Sequence, residues 1–296
     1  MRKPPDLGAL RVVSDLAAAR HVRDAYEGRV PGGVFGVRAM PEEEVVAGIV
    51  DELDRILVVT QTVSIDYQRD ASALWAYARR LYDDIATRWV FRPSDIAIRS
   101  ESDLRAAMES KGRLRYGAKD VQWWRGNAIT WHKLFGGDPR VLFREADWCV
   151  DRIKCEITQP KRFRGLGGAK IFPLWLRMLA DIAKYKFTGF EHLPIPVDIH
   201  IARATFTTGI LRGTYTGPYD EAMLQHIRNA WREACKAQGD VPIRFDEALW
   251  QLSRLGCTER HSNASPDCPK RAECPIGASC PRGVIKVSTD GVRVVT

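Results

Sequence analysis

No stretch of this chain approaches about 18 uninterrupted apolar residues, and its N-terminus has no secretory apolar core. Neither a membrane span nor an export signal is therefore expected, and the expected location is cytoplasmic. Internal repeats and low-complexity runs are missing as well, which sets aside solenoids and biased tails. Strand-like alternation is scarce: only VIKVS and VRVVT, on either side of Asp290-Gly291, read as extended and as a hairpin. Cysteines number seven, an odd count in a chain without an export signal, which disfavours a disulfide framework.

What is present is ordinary for a globular protein: 296 residues, 45% hydrophobic and 28% charged. A net charge of +8 suits a polyanionic partner, although many basic proteins bind none. The rest of the chain reads as helix. PEEEVVAGIVDELDRILVVTQ carries early acids and apolar residues at helical spacing. ASALWAYARRLYDDIATRWVF continues that pattern until Pro93 interrupts it. SESDLRAAMES opens with a capping box from Ser100 to Asp103, and KDVQWWRGNAITWHKLFGG stops at paired glycines. IFPLWLRMLADIAKY reads as a buried helix with Pro173 in its first turn, and YDEAMLQHIRNAWREACKAQG and FDEALWQLSRLG add two more. The N-terminal dozen residues and the proline-rich loop at 191–196 read as linkers.

Four of the seven cysteines, Cys257, Cys268, Cys274 and Cys280, fall within 24 residues, separated by ten, five and five residues. Their neighbours are polar residues and prolines, which argues for metal ligation over buried thiols. Zinc ribbons usually use two close cysteine pairs, and neither occurs here. The looser spacing suits a 4Fe-4S cluster, with zinc as the alternative. Lys270, Arg271 and Arg282 flank these positions and can present cations to phosphates. Cys149, Cys155 and Cys235 lie on helical patterns and are expected in the core.

Upstream, FRGLGGAK places Gly165, Gly167 and Gly168 in a turn ahead of Lys170. Such a turn lets backbone amides approach a phosphate, and the helix that follows adds a favourable dipole. A plain tight turn between packed helices is an equally common meaning. Lys170 is either a phosphate-binding cation or, partly desolvated, an amine nucleophile that forms a Schiff base with a sugar C1′. Asp198, in PVDIH, follows Pro194 and Pro196, which stiffen its approach. A fixed carboxylate stabilises positive charge on a sugar and accepts a proton from Lys170 or from water. It also suits a helix N-cap, and both roles can hold together. His200 is expected to be structural.

Taken in order, VVTQTVSIDYQRDASALW, RYGAKDVQWWRGNA, FRGLGGAK, PVDIHIAR and the terminal cysteines resemble the helix-hairpin-helix DNA glycosylase superfamily. That group includes endonuclease III and the 8-oxoguanine glycosylases, and the resemblance runs from about residue 55 to about 282. It departs at the turn: counting on from Gly165 and Gly167 lands on Ala169, whereas counting from Gly168 lands on Lys170. The wide spacing from Lys170 to Asp198 is more like the archaeal 8-oxoguanine branch. The resemblance implies an all-α, two-lobed fold: a six-helix barrel with the hairpin at 56–199, and a second lobe of 1–55 plus 200–296 carrying the cysteines. It places the active site in a cleft between the lobes.

The implied activity is excision of a damaged or modified base from double-stranded DNA by a monomer, with AP-lyase cleavage through Lys170. Oxidised purine is favoured as the base, then oxidised pyrimidine, then a bulky phage-type cytosine. A base inside a duplex must be flipped out, and Gln61 is placed by motif position as the residue that fills the gap. Trp123, Trp124 and Trp131 can stack on an extruded base, although an aromatic stripe at that spacing more often belongs to a core. A non-catalytic DNA-binding module of the same fold, or a cluster-containing redox sensor, remain as other classes.

Overall fold

The computed structural model describes residues 6–36, 39–160, 162–263 and 267–296 of the chain. Ala264, Ser265 and Pro266, inside the cysteine-bearing stretch, and the first five residues of the expected N-terminal linker lie outside the described residues. The described chain forms fourteen α-helices and four strands. The helices are α1 (Ala17–Tyr26), α2 (Pro41–Val46), α3 (Glu52–Val63), α4 (Ala71–Asp83), α5 (Pro93–Ile98), α6 (Glu101–Glu109) and α7 (Ala118–Phe135). After these come α8 (Pro139–Glu145), α9 (Val150–Thr158), α10 (Ile171–Ile182), α11 (Ile199–Thr207), α12 (Glu221–Gln238), α13 (Asp246–Gln251) and α14 (Thr258–Asn263). The strands are β1 (Leu10–Val12), β2 (Leu211–Gly217), β3 (Val284–Ser288) and β4 (Gly291–Val295).

Two compact units divide the chain: Ala39–Phe190 make one, and the residues before Ala39 and after Phe190 make the other. Residues 39–55 go with the first unit because their charges are committed there. Arg177 of α10 donates to Glu42 of α2 across 2.7 Å with both side chains 2% exposed, and Tyr185 donates to Glu52. A buried ion pair of this kind holds register between elements, since losing one partner strands the other charge.

The expected 41–61 helix is broken in two. Ala47 leaves helical geometry, Gly48 takes φ +81°, and Asp51 caps α3 by accepting from the Asp54 amide at 2.8 Å. Ser100 and Asp103 do form their reciprocal box at the start of α6, and Gly136 ends α7 in the left-handed region. Buried aromatic side chains fill the interior of this unit: Trp124 donates to Val90 O, and Trp131 lies 4.3 Å from Phe163 and 6.1 Å from Trp175 between ring centroids.

The other unit is not all-α. Its strands make an antiparallel sheet in the order β1-β2-β4-β3. The expected C-terminal hairpin is its β3–β4 pair, turning so that Ser288 faces Gly291. β1 and β2 are additions. LRV at 10–12 lies in what read as a linker, and RGTYTG pairs with β4 from Thr214↔Val295 to Gly217↔Val292. Cys235 is buried as expected, but Cys149 is half-buried and Cys155 exposed, because α9 turns only Val150, Ile153 and Ile157 inward. No helix among the described residues is long and apolar enough to cross a membrane.

Candidate DNA-binding and catalytic site

The hairpin turn joins α9 to α10 and is built by neighbours on α7. Buried Asn127 holds it at Arg164 from both sides, its Nδ2 donating to Arg164 O at 2.8 Å and its Oδ1 accepting from Arg164 N at 2.7 Å. Thr130 donates to Arg162 O, and Leu166 is fully buried as an apolar plug. Gly165 has φ +79°, and a Cβ there would meet Ser64 O at 2.0 Å, so only glycine fits. Gly167 is close-packed on Thr158, whereas Gly168 has room. Among the described residues no acceptor takes the N–H groups of Gly167, Gly168 or Ala169. Open amides leading into the N-terminus of a twelve-residue helix suit a phosphate.

Lys170 is the N-cap residue of α10, with its side chain about one-third exposed. Its Nζ lies 3.0 Å from Oδ2 of Asp66, a carboxylate only 4% exposed whose Oδ1 has no hydrogen-bond partner among the described residues. Asp66 comes from the loop after α3, and the pairing joins residues 104 positions apart. Nothing in SIDY marks that aspartate by itself.

Asp198 belongs to the other unit. It is the N-cap of α11, accepting from His200 N at 2.8 Å and Ile201 N at 2.9 Å, both through Oδ1. The helix-capping role is therefore real, and among the described residues Oδ2 takes no hydrogen bond. Tyr219 and Arg203 surround it. Burial first, and then the Asp198 charge, push the Tyr219 phenol well above its usual range. Burial lowers the Arg203 guanidinium, which Asp198 opposes. His200 packs edge-on against Trp250, with Nδ1 3.2 Å from Ser253 Oγ.

Several expected contacts are placed differently. Gln61 is fully buried near the C-terminal end of α3, so as folded its amide cannot reach a duplex, and neither Oε1 nor Nε2 has a partner among the described residues. Trp124 and Trp131 are core residues, both fully buried. Only Trp123 is half-buried, with the Lys119 Nζ 4.7 Å above its ring. Lys270 and Arg271 are not open phosphate contacts: Lys270 donates to Leu255 O at 2.8 Å, and Arg271 donates to Gly277 O at 2.6 Å and Cys280 O at 3.3 Å. Both bind the cysteine loop together.

Within that loop the four thiols feel one another. Burial pushes the Cys274 thiol up to about 11, with Cys280 and Cys268 adding to the rise. Buried Cys257 is raised further by burial and by the other three. Arg260 donates to Cys280 Sγ at 2.9 Å, while its Nε, and Nε and Nη2 of Arg271, are buried without partners among the described residues. The donor set is all sulfur, and cations stand around it, which fits an anionic thiolate centre such as an iron–sulfur cluster. Among the described residues no group of three or more His, Cys, Asp or Glu side chains is drawn to metal-holding geometry.

Residues 169–276 match the family model described as AGOG, N-glycosylase/DNA lyase. Over that stretch the match supports the resemblance to the helix-hairpin-helix DNA glycosylase superfamily. The matched span contains Lys170, Asp198, Cys257, Cys268 and Cys274, whereas Gln61, the three tryptophans, the turn glycines and Cys280 lie outside it. No curated protein matches the chain.

Proposed function

We propose that this protein excises a damaged or modified base from double-stranded DNA and then cleaves the strand through a Schiff base at Lys170. One observation carries the reading: an amine at the mouth of a phosphate-suited turn, paired with a buried carboxylate. At rest Lys170 Nζ donates a hydrogen bond to Asp66 Oδ2 at 3.0 Å. Transfer of that proton to Asp66 leaves an amine with a free electron pair. As the C1′–N bond breaks, its electrons leave with the base, which takes up a proton, and the Lys170 nitrogen bonds to C1′; breaking of C1′–O4′ opens the sugar to the Schiff base, and loss of a C2′ proton then expels the 3′ phosphate. Asp198 is the carboxylate of the reaction, its Oδ2 offsetting the positive charge that grows on the sugar as the base departs. The turn amides of Gly167, Gly168 and Ala169 hold a phosphate and set register without reading sequence.

The favoured substrate is an oxidised purine, followed by an oxidised pyrimidine and a bulky modified cytosine, and the enzyme acts as a monomer. Cys257, Cys268, Cys274 and Cys280 hold a 4Fe-4S cluster, with zinc as the alternative. Such a centre would tie the ends of its loop together and take no part in bond breaking.

The test uses duplexes carrying a panel of altered bases. Asp198→Asn keeps shape but removes charge, so excision falls by orders of magnitude while duplex binding survives. Lys170→Ala abolishes the covalent adduct trapped by borohydride. Excision without any trapped adduct in the wild-type protein assigns the attack to water and leaves Lys170 as a phosphate anchor. Full activity of Asp198→Asn on a confirmed substrate sinks the site.

A further inference from the structure

We infer that Tyr67, Tyr116 and Trp123 form a stacking platform for an unpaired nucleotide, with Lys119 and Arg115 taking its phosphate. All five residues belong to the Ala39–Phe190 unit. Tyr67 projects from the loop between α3 and α4 and is 49% exposed, one of few large hydrophobic side chains so open. Its ring centroid lies 6.2 Å from that of Tyr116 at a 40° tilt, an aromatic pair that is not stacked face to face. Lys119, exposed in the first turn of α7, holds its Nζ 5.8, 5.5 and 4.7 Å from the rings of Tyr67, Tyr116 and Trp123 respectively. The Arg115 guanidinium stands 5.5 Å from the Tyr116 ring.

The support beneath is rigid. Arg69 binds buried Asp120 at 2.8 Å, and Asp120 also accepts from Tyr116 N. Tyr116 Oη and Gln68 Oε1 are 3.2 Å apart, and Gln68 is held at φ +48°, an unfavourable geometry that surrounding bonds must maintain. Nearby acids are already committed: Asp66 to Lys170, Asp70 to the N-terminus of α4, Asp120 to Arg69. Lys119 and Arg115 have no acidic partner among the described residues. The net field over the rings is therefore positive.

Three rings gathered around Lys119, with Arg115 over Tyr116, suit a base and its phosphate once these cations turn from the rings to the backbone, since stacking tolerates any base. A cation–π cluster that only braces the surface would need no half-exposed Tyr67. The platform also adjoins the turn: a Cβ on Gly165 would lie 3.3 Å from Trp123 Cε3. A strand whose phosphate rests on the open amides thus has an aromatic surface next to it.

This inference rests on the DNA reading of the proposed function, but not on the chemistry of Lys170 or Asp198. The test measures anisotropy of a short fluorescent oligothymidylate and of an undamaged duplex with the full-length protein. Wild type binds the single strand, Tyr67→Ala weakens that binding about tenfold, and Tyr67→Phe retains it. Lys119→Ala weakens it too and lowers the slope of log affinity against log salt by about one. Binding of the single strand unchanged in Tyr67→Ala overturns the platform. So does an equal loss in Tyr67→Ala and Tyr67→Phe. Wild type that binds duplex but no single strand removes the platform alone, whereas wild type that binds neither removes the proposed function with it.

Discussion

The hairpin turn at 162–170 and the cysteine loop at 268–280 are both irregular segments, yet they are completed by different means. The turn is finished by its own neighbours: Asn127 and Thr130 take its backbone groups, Leu166 plugs it, and Gly165 closes against Ser64. The loop has backbone hydrogen bonds of its own, such as Cys274 N to Lys270 O, and cations add to them: Arg271 donates to Gly277 O within it, while Lys270 and Arg260 donate to Leu255 O and Pro281 O on either side. Several of those guanidinium nitrogens are buried without a partner among the described residues, and three thiols, those of Cys257, Cys274 and Cys280, sit where burial opposes their ionisation. A turn built only from polypeptide offers its spare amides to a ligand that comes and goes. A loop with buried thiols and guanidinium groups around them is where the proposed cluster, an anionic group that stays, would belong.

The largest expected effect breaks this contrast at the loop. Under the proposed cluster, purified protein is brown, with absorbance near roughly 400 nm and iron bound. Cys274→Ser then loses the iron and much of the solubility, while the Ala39–Phe190 unit keeps its helical signal. A colourless wild-type protein holding one zinc replaces the cluster with the alternative. A wild-type protein as stable after exhaustive chelation as before makes the loop self-sufficient, like the turn.

A second, smaller effect falls on the turn. Gly165→Ala must hold an alanine at φ +79° with its Cβ against the Ser64 carbonyl. We expect a loss of about 3 kcal/mol in unfolding free energy, from strain plus displaced backbone. Duplex affinity should fall and iron content stay unchanged. Gly168→Ala, with room around it, should cost far less. Equal stability of the two variants would mean that the turn is looser than its contacts imply.

How much of this was legible depends on how far apart the cooperating residues lie. The Ser100 box, the Gly136 stop and the Asp198 cap are local, so a few adjacent residues state them. The break between α2 and α3 was also local, at Gly48 and Asp51, but a continuous apolar periodicity masked it. RGTYTG went unread because its pairing partner is the far C-terminus and its own alternation is weak. Asp66 is the clearest loss. Its meaning lies wholly in meeting Lys170 across more than a hundred residues, and the glutamine favoured nearby, Gln61, faces inward instead. Lys270 and Arg271 look like surface cations in the sequence, which shows charge but not the carbonyls that take it.

The smallest predicted effect sharpens the comparison most directly, because it removes one side chain and nothing else. Asn127→Ala deletes both hydrogen bonds to Arg164 without touching glycine geometry, the helix dipole or any charge. The stranded Arg164 groups regain some water, since that residue is exposed, so the cost is about 2 kcal/mol rather than the full penalty of two buried orphans. If the turn is positioned by α7, this modest loss should come with a disproportionate fall in duplex affinity and in borohydride trapping at Lys170. Iron content and the melting of the other unit should not move. Asn127→Asp keeps an acceptor for Arg164 N but loses the amide donor to Arg164 O, so it should recover part of the stability. Because it adds negative charge near a phosphate site, it should recover little binding. A variant that loses stability yet binds and traps as wild type would show that the amides of Gly167 to Ala169 are set by the start of α10 alone.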